Sequence, residues 1–312
     1  MSPEFSVVIP TYNRREILPE VLSALENQRG APSFEVIVVD DGSNDGTGSW
    51  LQSRSFSVPT TVLQQENQGP AVARNQGVAV AKGEWVAFLG DDTVPSPRWL
   101  ATHYRAHQER NDTPRLAVIG YTDWHPRMRR TSFLNYINEY GLQFGYALIE
   151  DPENVPFNFF YTSNLSLRRE MLLQEPFDLR FPYAAWEDIE TSYRLQKSGM
   201  RLIYERDAVV LHDHPTDLRR FATRQEKAGY SAVVFFGLHP ELGSFLGLGP
   251  EGPPDPPAPL RVFFQEKLAH TLQKFPLKLP RLWEDLLRSH YIRGLNRGWG
   301  DGANSIKGEP PS

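Results

Sequence analysis

The chain of 312 residues contains no cysteine. This absence excludes disulfide bonds, zinc sites with thiolate ligands and catalytic thiols. The sequence also lacks any run of about 18 consecutive apolar residues, the length that a membrane-spanning helix needs. Residues 1–5 lack the basic and apolar regions of a secretory signal. We therefore expect a cytoplasmic protein, and binding to the inner face of a membrane stays open.

Several common signals for nucleotides, nucleic acids or glycans are also weak or missing. The net charge of −5 argues against nucleic acid as the main partner. No glycine-rich loop ends in Gly-Lys-Ser or Gly-Lys-Thr, which excludes a P-loop NTPase. Residues 247–252 have the spacing of a dinucleotide motif but follow no predicted strand and open no predicted helix. The glycosylation sequon at 164–166 is a chance match, because no secretion signal is present.

The first third of the chain alternates short apolar runs with helical patterns. Proline at position 10 is expected to end the first strand, and Gly77 inside a predicted helix is expected to permit close packing. This alternation predicts an α/β fold, with a parallel sheet covered by helices on both faces. The predicted strands are 5–9, 34–39, 61–63 and 85–89, and the predicted helices are 15–28 and 70–81.

The rest of the chain is less regular. Residues 121–160 are rich in aromatic residues and arginine, and we expect loop, short helix and acceptor-facing surface there. Residues 247–259 are dense in glycine and proline. We expect a domain at 1–215 and a C-terminal helical extension at 216–312, with a linker near 247–259 and a polar tail from 298. Further strands are predicted at 116–119, 162–168, 201–204 and 208–211; further helices at 97–110, 169–174, 187–198, 218–238 (with an interruption at Gly229), 261–274 and 279–294.

Pairs of adjacent acids follow two of the predicted strands. Asp40 and Asp41 follow one strand, and Asp91 and Asp92 follow another, after Gly90. Ligands of a parallel sheet bind beyond its C-terminal strand ends. Adjacent carboxylates repel each other, and a cation such as Mg²⁺ or Mn²⁺ relieves that repulsion and serves phosphate chemistry. The alternatives are a solvated Asp-Asp turn and, for the first pair, an Asx turn.

Three further segments carry candidate chemistry. Arg74, near a helix start, either faces a nucleotide or belongs to an ordinary amphipathic helix. Residues 186–188 open a helix with two acids, which either complement the helix dipole or supply a general base. A helix N-terminus lowers the basicity of such an acid, and desolvation by substrate raises it. His212 and His214 flank Asp213, and they either approach a metal or phosphate or form a surface turn.

Taken in order, these segments resemble the family 2 glycosyltransferases with the GT-A fold. The resemblance covers roughly residues 5–215 and implies a GT-A core that transfers a sugar, with inversion, from a nucleoside diphosphate donor to a hydroxyl acceptor. We expect UDP or dTDP sugars as donors. The segments that carry the resemblance are 7–13 (VVIPTYN), 38–43 (VVDDGS), 67–77, 81–84, 88–92 (FLGDD), 164–168, 177–178 and 186–195.

The resemblance also implies a role for individual residues. Asp188 would be the general base, and Glu187 beside it would contact the acceptor or the donor sugar. Asp92 would hold Mn²⁺ or Mg²⁺, with His212 as a second candidate ligand, and Asp91 would lie against the ribose or the water shell of the metal. The remaining substrate-binding candidates are Pro10, Thr11 and Asp41 around the nucleoside, with Asp41 on the base, Arg74 nearby, and Trp186.

One departure from the family pattern bears on the metal. Many relatives carry Asp where this chain has Gly90, so Asp92 would act with the donor phosphates, and metal affinity without donor should be weak. A non-catalytic nucleotide-sugar-binding or scaffold protein on the same fold is therefore a second hypothesis. A nucleotidyltransferase is a third, but residues 11–13 provide no glycine-rich loop after the first strand. The acceptor is expected to be a sugar, a glycan or a lipid-linked hydroxyl in cell-surface polysaccharide or glycolipid synthesis. The extension, with its aromatic and basic last helix, would pack on the core, form a homodimer or approach a membrane.

Overall fold

A computed structural model describes residues 2–139, 143–272 and 280–303. Three predicted positions lie outside the described residues: the end of one helix at 274, the start of the next at 279, and the part of the tail beyond 303. The strands are β1 (Phe5–Thr11), β2 (Phe34–Asp40), β3 (Thr60–Gln64), β4 (Trp85–Leu89), β5 (Thr93–Pro95), β6 (Leu116–Trp124), β7 (Asn164–Arg168) and β8 (Arg201–His212). The α-helices are α1 (Leu18–Glu26), α2 (Thr47–Ser53), α3 (Pro70–Val80), α4 (Trp99–Glu109), α5 (Ser132–Glu139), α6 (Arg169–Gln174), α7 (Glu187–Lys197), α8 (Leu218–Leu238), α9 (Pro259–Leu272) and α10 (Pro280–Gly300).

The strands form one mixed sheet in the order β3-β2-β1-β4-β7-β6-β8-β5. The first four of these neighbours are parallel, as the alternating sequence pattern predicts. β7 is antiparallel to both of its neighbours, β8 is parallel to β6, and β5 is antiparallel to β8. The α/β class is therefore confirmed, and the antiparallel strands lie in the half of the sheet where the sequence pattern is less regular.

The described chain divides into two compact units. The first unit comprises Met1–Met128, Phe144–Phe177 and Asp188–His214, and it contains the whole sheet. The second comprises Arg129–Gln143, Asp178–Glu187 and Pro215–Ser312. The functional division at residue 215 stays a prediction. In the described part of the chain, no helix has both the length and the apolar character that crossing a membrane requires.

The core of the first unit lies around β1, β2 and β4, whose apolar side chains are buried on both faces of the sheet. Gly77 of α3 faces Val8, and a methyl group at Gly77 would clash with the Val8 side chain. This contact confirms the expectation that the glycine permits close packing. The buried cluster includes Phe5, Val7, Ile9, Leu18, Val21, Leu25, Val36, Val38, Trp85, Ala87 and Leu89.

Three local predictions are wrong for identifiable reasons. Pro10 does not end β1, because the β1–β4 ladder already stops at Val8 and Pro10 has only β2 as a hydrogen-bonded neighbour. The two short strands predicted at 201–204 and 208–211 are one strand, β8, with an irregularity opposite Gly120 and Tyr121. Gly229 does not interrupt α8.

The second unit is built on close packing between α8 and α10. A Cβ atom at Gly229 of α8 would collide with the carbonyl oxygen of Tyr291 in α10. Gly294 of α10 likewise faces the carbonyl oxygen of Glu226 in α8. These glycines let the two backbones approach, which is why Gly229 lies in an unbroken helix. Trp283, fully buried at the start of α10, packs in this unit against Phe133 of α5.

A network of polar side chains is buried beneath β7. The Asn164 carbonyl oxygen accepts hydrogen bonds from Trp99 Nε1 at 2.7 Å, and its amide donates to the carbonyl of Ala208 at 2.8 Å. The Ser166 hydroxyl lies 2.8 Å from both His103 Nδ1 and His107 Nε2. Because Asn164 is fully buried and bonded, the sequon at 164–166 is a structural element of the core.

The two buried histidines predict how stability depends on pH. Burial lowers the pKa of His103 to about 4 and the pKa of His107 to about 3. Between about pH 6.5 and pH 4 the unfolded chain binds protons at these positions that the folded chain does not. The free energy of unfolding should therefore fall as pH falls through this window, by about 1.4 kcal/mol per pH unit for each histidine.

Urea unfolding of the parent and of His107→Gln at several pH values measures this effect. The free energy of unfolding of the variant should fall less steeply between pH 6.5 and pH 4. A comparison of the two proteins at pH 8 measures the stability that the variant loses through changed packing, apart from this pH effect. If the free energy of unfolding depends on pH equally in the two proteins, the lowered pKa of His107 is contradicted.

Candidate metal and donor site

The acids after β4 are held by the loop that follows β1. Asp91 Oδ1 accepts a hydrogen bond from Arg14 Nε at 3.2 Å, and Asp91 Oδ2 accepts one from the backbone N–H of Tyr12 at 3.3 Å. Arg14 Nη2 donates to Asp92 Oδ2 at 3.0 Å. The guanidinium therefore bridges the two carboxylates and reduces their repulsion.

The short strand β5 brings two histidines to Asp92. Pairing of β5 with β8 places Thr93 opposite His212, and the backbone N–H of Asp213 donates to the carbonyl of Asp92 at 2.8 Å. His212 Nε2 lies 3.3 Å from Asp92 Oδ1, and His214 Nδ1 lies 2.9 Å from Asp92 Oδ2. One ligand atom from each of these three side chains lies within 4.8 Å of the other two. Of the two histidines, only His212 is named from the sequence as a candidate ligand, and the structure brings both to Asp92.

Aromatic stacking fixes the orientation of His212. Its ring stacks on Trp124 with centroids 5.5 Å apart, and on His214 at 5.4 Å. Asp213, between the two histidines, is paired instead with Arg127 at 2.9 Å. His212 Nδ1 is buried and has no hydrogen-bond partner within the described ranges. The ring is thus positioned by stacking and by the contact of its Nε2 with Asp92.

The electrostatics of the two acids differ. Burial and the charge of Asp92 raise the pKa of Asp91. Burial also raises the pKa of Asp92, but His212, His214 and Arg14 outweigh it and hold that pKa well below its usual range. Asp92 is therefore the carboxylate that stays ionised among cationic or metal-ligating partners.

The glycine at position 90 has a local structural reason. Its backbone N–H donates to the carbonyl of Ser163, and its own carbonyl accepts from the Thr93 hydroxyl at 2.8 Å. A Cβ atom at this position would lie 3.0 Å from Thr93 Oγ1 and 3.3 Å from Asp92 Oδ1. A side chain would crowd the hydroxyl that anchors the turn, so glycine fits this backbone.

Asp41, predicted to contact the nucleoside base, shapes the loop that leads into α3. Its backbone N–H donates to the carbonyl of Thr11 at 2.9 Å, next to Pro10 at the end of β1. Its buried carboxylate accepts from the backbone N–H groups of Gln68 and Gly69, each at 2.8 Å. The carboxylate therefore fixes the backbone at the start of α3, and its contact with a base stays a prediction.

Arg74 lies one turn into α3 beside Phe177. Its guanidinium is 5.4 Å from the centre of the Phe177 ring, within range of a cation–π interaction. The adjacent Asn75 exchanges two hydrogen bonds with the Phe177 backbone, at 2.9 and 3.0 Å. These contacts fix the middle of α3 against Phe177, and the approach of Arg74 to a nucleotide stays a prediction.

The acids that open α7 have different environments. Asp188 is half-buried in the first unit, and its Oδ1 accepts from the backbone N–H of Ile189 at 2.9 Å. Glu190 is buried and paired with Arg194 at 2.8 Å. Glu187 is buried and belongs to the second unit. Of these three acids, Asp188 is thus the most accessible.

Trp186, a predicted substrate-binding residue, has an unusual backbone. Its φ of 73° is a left-handed conformation that bulky residues rarely adopt. Within the second unit, its indole N–H donates to the carbonyl of Ala228 in α8 at 2.9 Å. The strained conformation is therefore anchored, and the predicted contact with substrate stays a prediction.

Arg14 is the residue that sequence reasoning missed. The sequence feature that could have identified Arg14 is its position just after the end of β1, at the same edge of the sheet as the acids of β2 and β4. The reach of its long side chain to Asp91 and Asp92 is a tertiary contact across 77 and 78 positions of the sequence. No local pattern reports such a contact.

Comparison with known proteins identifies relatives for most of the chain. It is 26% identical to the uncharacterized glycosyltransferase YfnE of Bacillus subtilis, over 94% of this chain and 85% of that protein. It is 30% identical to validoxylamine A glucosyltransferase of Streptomyces hygroscopicus subsp. limoneus, over 66% of this chain. The chain spans 51% of that enzyme and 34% of the matched Escherichia coli chondroitin synthase.

Solved structures support the same fold. Mannosyltransferase PcManGT from Pyrobaculum calidifontis, in complex with GDP-Man and Mn²⁺, superposes with a TM-score of 0.62 at 20% identity, over 96% of this chain and 88% of that one. S. aureus TarS 1–349 in complex with UDP superposes with a TM-score of 0.53 at 17% identity, over 96% and 92%. The architecture is thus the GT-A fold of glycosyltransferases. The model of the family described as "Glycosyl transferase family 2" matches residues 6–173, more than half of the chain, and the chain therefore belongs to this family.

Proposed function

We propose that the chain transfers a sugar from a nucleoside diphosphate donor to a hydroxyl acceptor, with inversion, and that a divalent cation bound at Asp92 supports the reaction. The observation that carries this proposal is the cluster of Asp92, His212 and His214 at the C-terminal edge of the sheet in a family 2 chain. Ligands of parallel sheets bind at this edge.

The chemistry of the donor atoms fits a cation and favours Mn²⁺ over Mg²⁺. Asp92 offers an ionised carboxylate, and His212 and His214 offer imidazole nitrogens. Mg²⁺ prefers oxygen ligands, whereas Mn²⁺ accepts this mixed set more readily. Arg14 already donates to Asp92, so the protein supplies one positive charge itself. We therefore expect weak cation binding until donor phosphates add their oxygens.

Asp188 is proposed to act as the general base. The acceptor hydroxyl oxygen forms a bond to the anomeric carbon while Asp188 accepts the hydroxyl proton, and the bond from that carbon to the diphosphate oxygen breaks. A single displacement of this kind inverts the anomeric carbon and needs no covalent intermediate. When bound, the cation neutralises the charge that develops on the departing diphosphate. Glu187 is proposed to contact the acceptor or the donor sugar, and Trp186 the substrate.

The nucleoside is proposed to lie at the ends of β1 and β2. Pro10, Thr11 and Asp41 would line this position, with Arg74 nearby in α3 and Asp91 against the ribose or the water shell of the metal. UDP and dTDP sugars stay the first donors to test. GDP sugars join them, since the superposed structures hold UDP, UDP-GlcNAc or GDP-Man.

The remaining partner assignments are proposals of the same kind. The acceptor is a sugar, a glycan or a lipid-linked hydroxyl; the protein acts in the cytoplasm or at the inner membrane face, and a homodimer stays open. The absence of an acid at Gly90 supports a second hypothesis, that the chain is a non-catalytic nucleotide-sugar-binding or scaffold protein. Slow hydrolysis of a donor sugar, with water replacing the acceptor, separates this hypothesis from an enzyme.

A thermal-shift screen of UDP, dTDP, GDP and CDP, each with and without Mn²⁺, tests the proposed donor site. One diphosphate should raise the melting temperature, because a ligand at 100 times its Kd stabilises the folded chain by about 2.7 kcal/mol. Mn²⁺ should increase that rise. Mn²⁺ alone should have little effect. If none of the four diphosphates shifts the transition with Mn²⁺ present, the proposed donor site is wrong.

A further inference from the structure

Helix α9 in the second unit exposes large apolar side chains along one side. The exposed fractions are 67% for Leu260, 47% for Phe263, 61% for Phe264 and 51% for Leu268. At 100° per residue these four positions fall within one half of the helix. We call this surface the α9 face. Soluble proteins rarely expose a contiguous group of this kind without a partner.

The opposite side of α9 holds its smaller residues. Val262 and Ala269 are fully buried. Glu266 also lies away from the α9 face, and its Oε1 is 3.0 Å from His290 Nε2 of α10. The helix therefore buries its small side chains and presents its large apolar ones outward, the reverse of an ordinary surface helix.

The two charged side chains that α9 carries on or beside the α9 face, Lys267 and Arg261, are positive. Lys267 lies over the Phe263 ring, with Nζ 4.6 Å from the ring centre, and exposed Arg261 follows Leu260 at the edge of the face. The acid of α9, Glu266, lies on the side that packs against α10. Lys267 thus places a positive charge within the arc of the α9 face, and Arg261 places one at its edge.

We propose that the α9 face binds the surface of an anionic lipid bilayer, with the helix lying in the interface plane. Phenylalanine and leucine would enter the boundary between headgroups and acyl chains, while Lys267 and Arg261 keep their charges at the anionic headgroups. A second copy of the chain is disfavoured, because a symmetric contact between two α9 faces would bring like charges together. The inference stands on α9 alone and does not depend on sugar transfer.

Sedimentation of the full chain with lipid vesicles tests the proposal. The protein should bind vesicles of phosphatidylcholine mixed with phosphatidylglycerol more tightly than vesicles of phosphatidylcholine alone, and added salt should weaken this binding. The double variant Phe263→Gln/Phe264→Gln should bind on the order of 100-fold more weakly, because both rings lose their burial in the bilayer. The matched control is Leu173→Gln, at an exposed leucine of α6 that should have no effect.

Melting temperature and sedimentation velocity distinguish the other occupants of the α9 face. Both variants should melt with the parent, since their side chains are about half exposed or more. Failure of the parent to bind anionic vesicles would overturn the proposal, as would equal binding by the double variant. A parent dimer that the double variant dissociates, without vesicle binding, would assign the face to a second copy. If the double variant melts at a lower temperature than the parent, and the parent does not bind vesicles, the chain itself covers the face.

Discussion

Asp188→Asn should reduce sugar transfer by about 10²–10⁴-fold, the usual contribution of a general base, and leave diphosphate affinity nearly unchanged. Asn keeps the size of Asp and an oxygen that accepts from the Ile189 backbone N–H. The loss therefore concerns the proton-accepting group and spares the helix start. A helix N-terminus stabilises the ionised carboxylate, so the wild-type base relies on desolvation by bound substrate for its strength.

The release of nucleoside diphosphate from a donor sugar measures this effect, and calorimetric titration of the diphosphate measures binding. Glu170→Gln is the matched control, because Glu170 is an exposed acid in the first turn of α6. The control should turn over like the parent. Substantial turnover by Asp188→Asn would remove Asp188 from the proposed mechanism.

Asp92→Asn should abolish the dependence of diphosphate binding on Mn²⁺ and lower turnover by at least about 100-fold. A cation on a departing phosphoryl oxygen contributes several kcal/mol, and each 1.36 kcal/mol corresponds to a tenfold change in rate. The amide keeps a hydrogen-bond acceptor for Arg14 but removes the charge that His212 and His214 face. Asp91→Asn should have a smaller effect, because Asp91 faces Arg14 and the Tyr12 backbone.

Chelation gives an independent test of the same ligand set. EDTA should stop turnover of the parent, and added Mn²⁺ should restore it. Electron paramagnetic resonance of Mn²⁺ reports binding without reference to activity: the signal of free Mn²⁺ should fall when protein and diphosphate are both present, and should not fall with Asp92→Asn. Full activity in EDTA would mean that Asp92 does not act through a metal.

The local parts of the fold could be predicted from the sequence because they depend on neighbouring residues. The β4 strand, Trp85–Leu89, and the α8 helix, Leu218–Leu238, occur where periodicity predicts them. The α2 helix was missed, since Thr47–Ser53 is short and polar. A short helix was expected in the irregular aromatic region, but the sequence did not place it at Ser132–Glu139. Elements of this kind acquire their stability from tertiary packing.

The candidate site was predictable only in part, for a related reason. The placement of Asp41 and Asp92 at strand ends follows from the alternation of strands and helices. The approach of His214 to Asp92 depends on the antiparallel register of β5, a strand of three residues without a sequence signal of its own. The contacts of Arg14 depend on side-chain reach, and the positive φ of Trp186 depends on how its indole is anchored.

A crystal structure with a bound nucleoside diphosphate and Mn²⁺, analysed by the anomalous scattering of the metal, tests the central claim most directly. We predict one manganese peak within coordination distance of Asp92 and of the diphosphate oxygens, with the nucleoside between the ends of β1 and β2 beside Asp41 and with Asp188 across from the diphosphate. A diphosphate bound in a cavity away from Asp41 and Asp92, or Asp188 in a different cavity, would contradict the account.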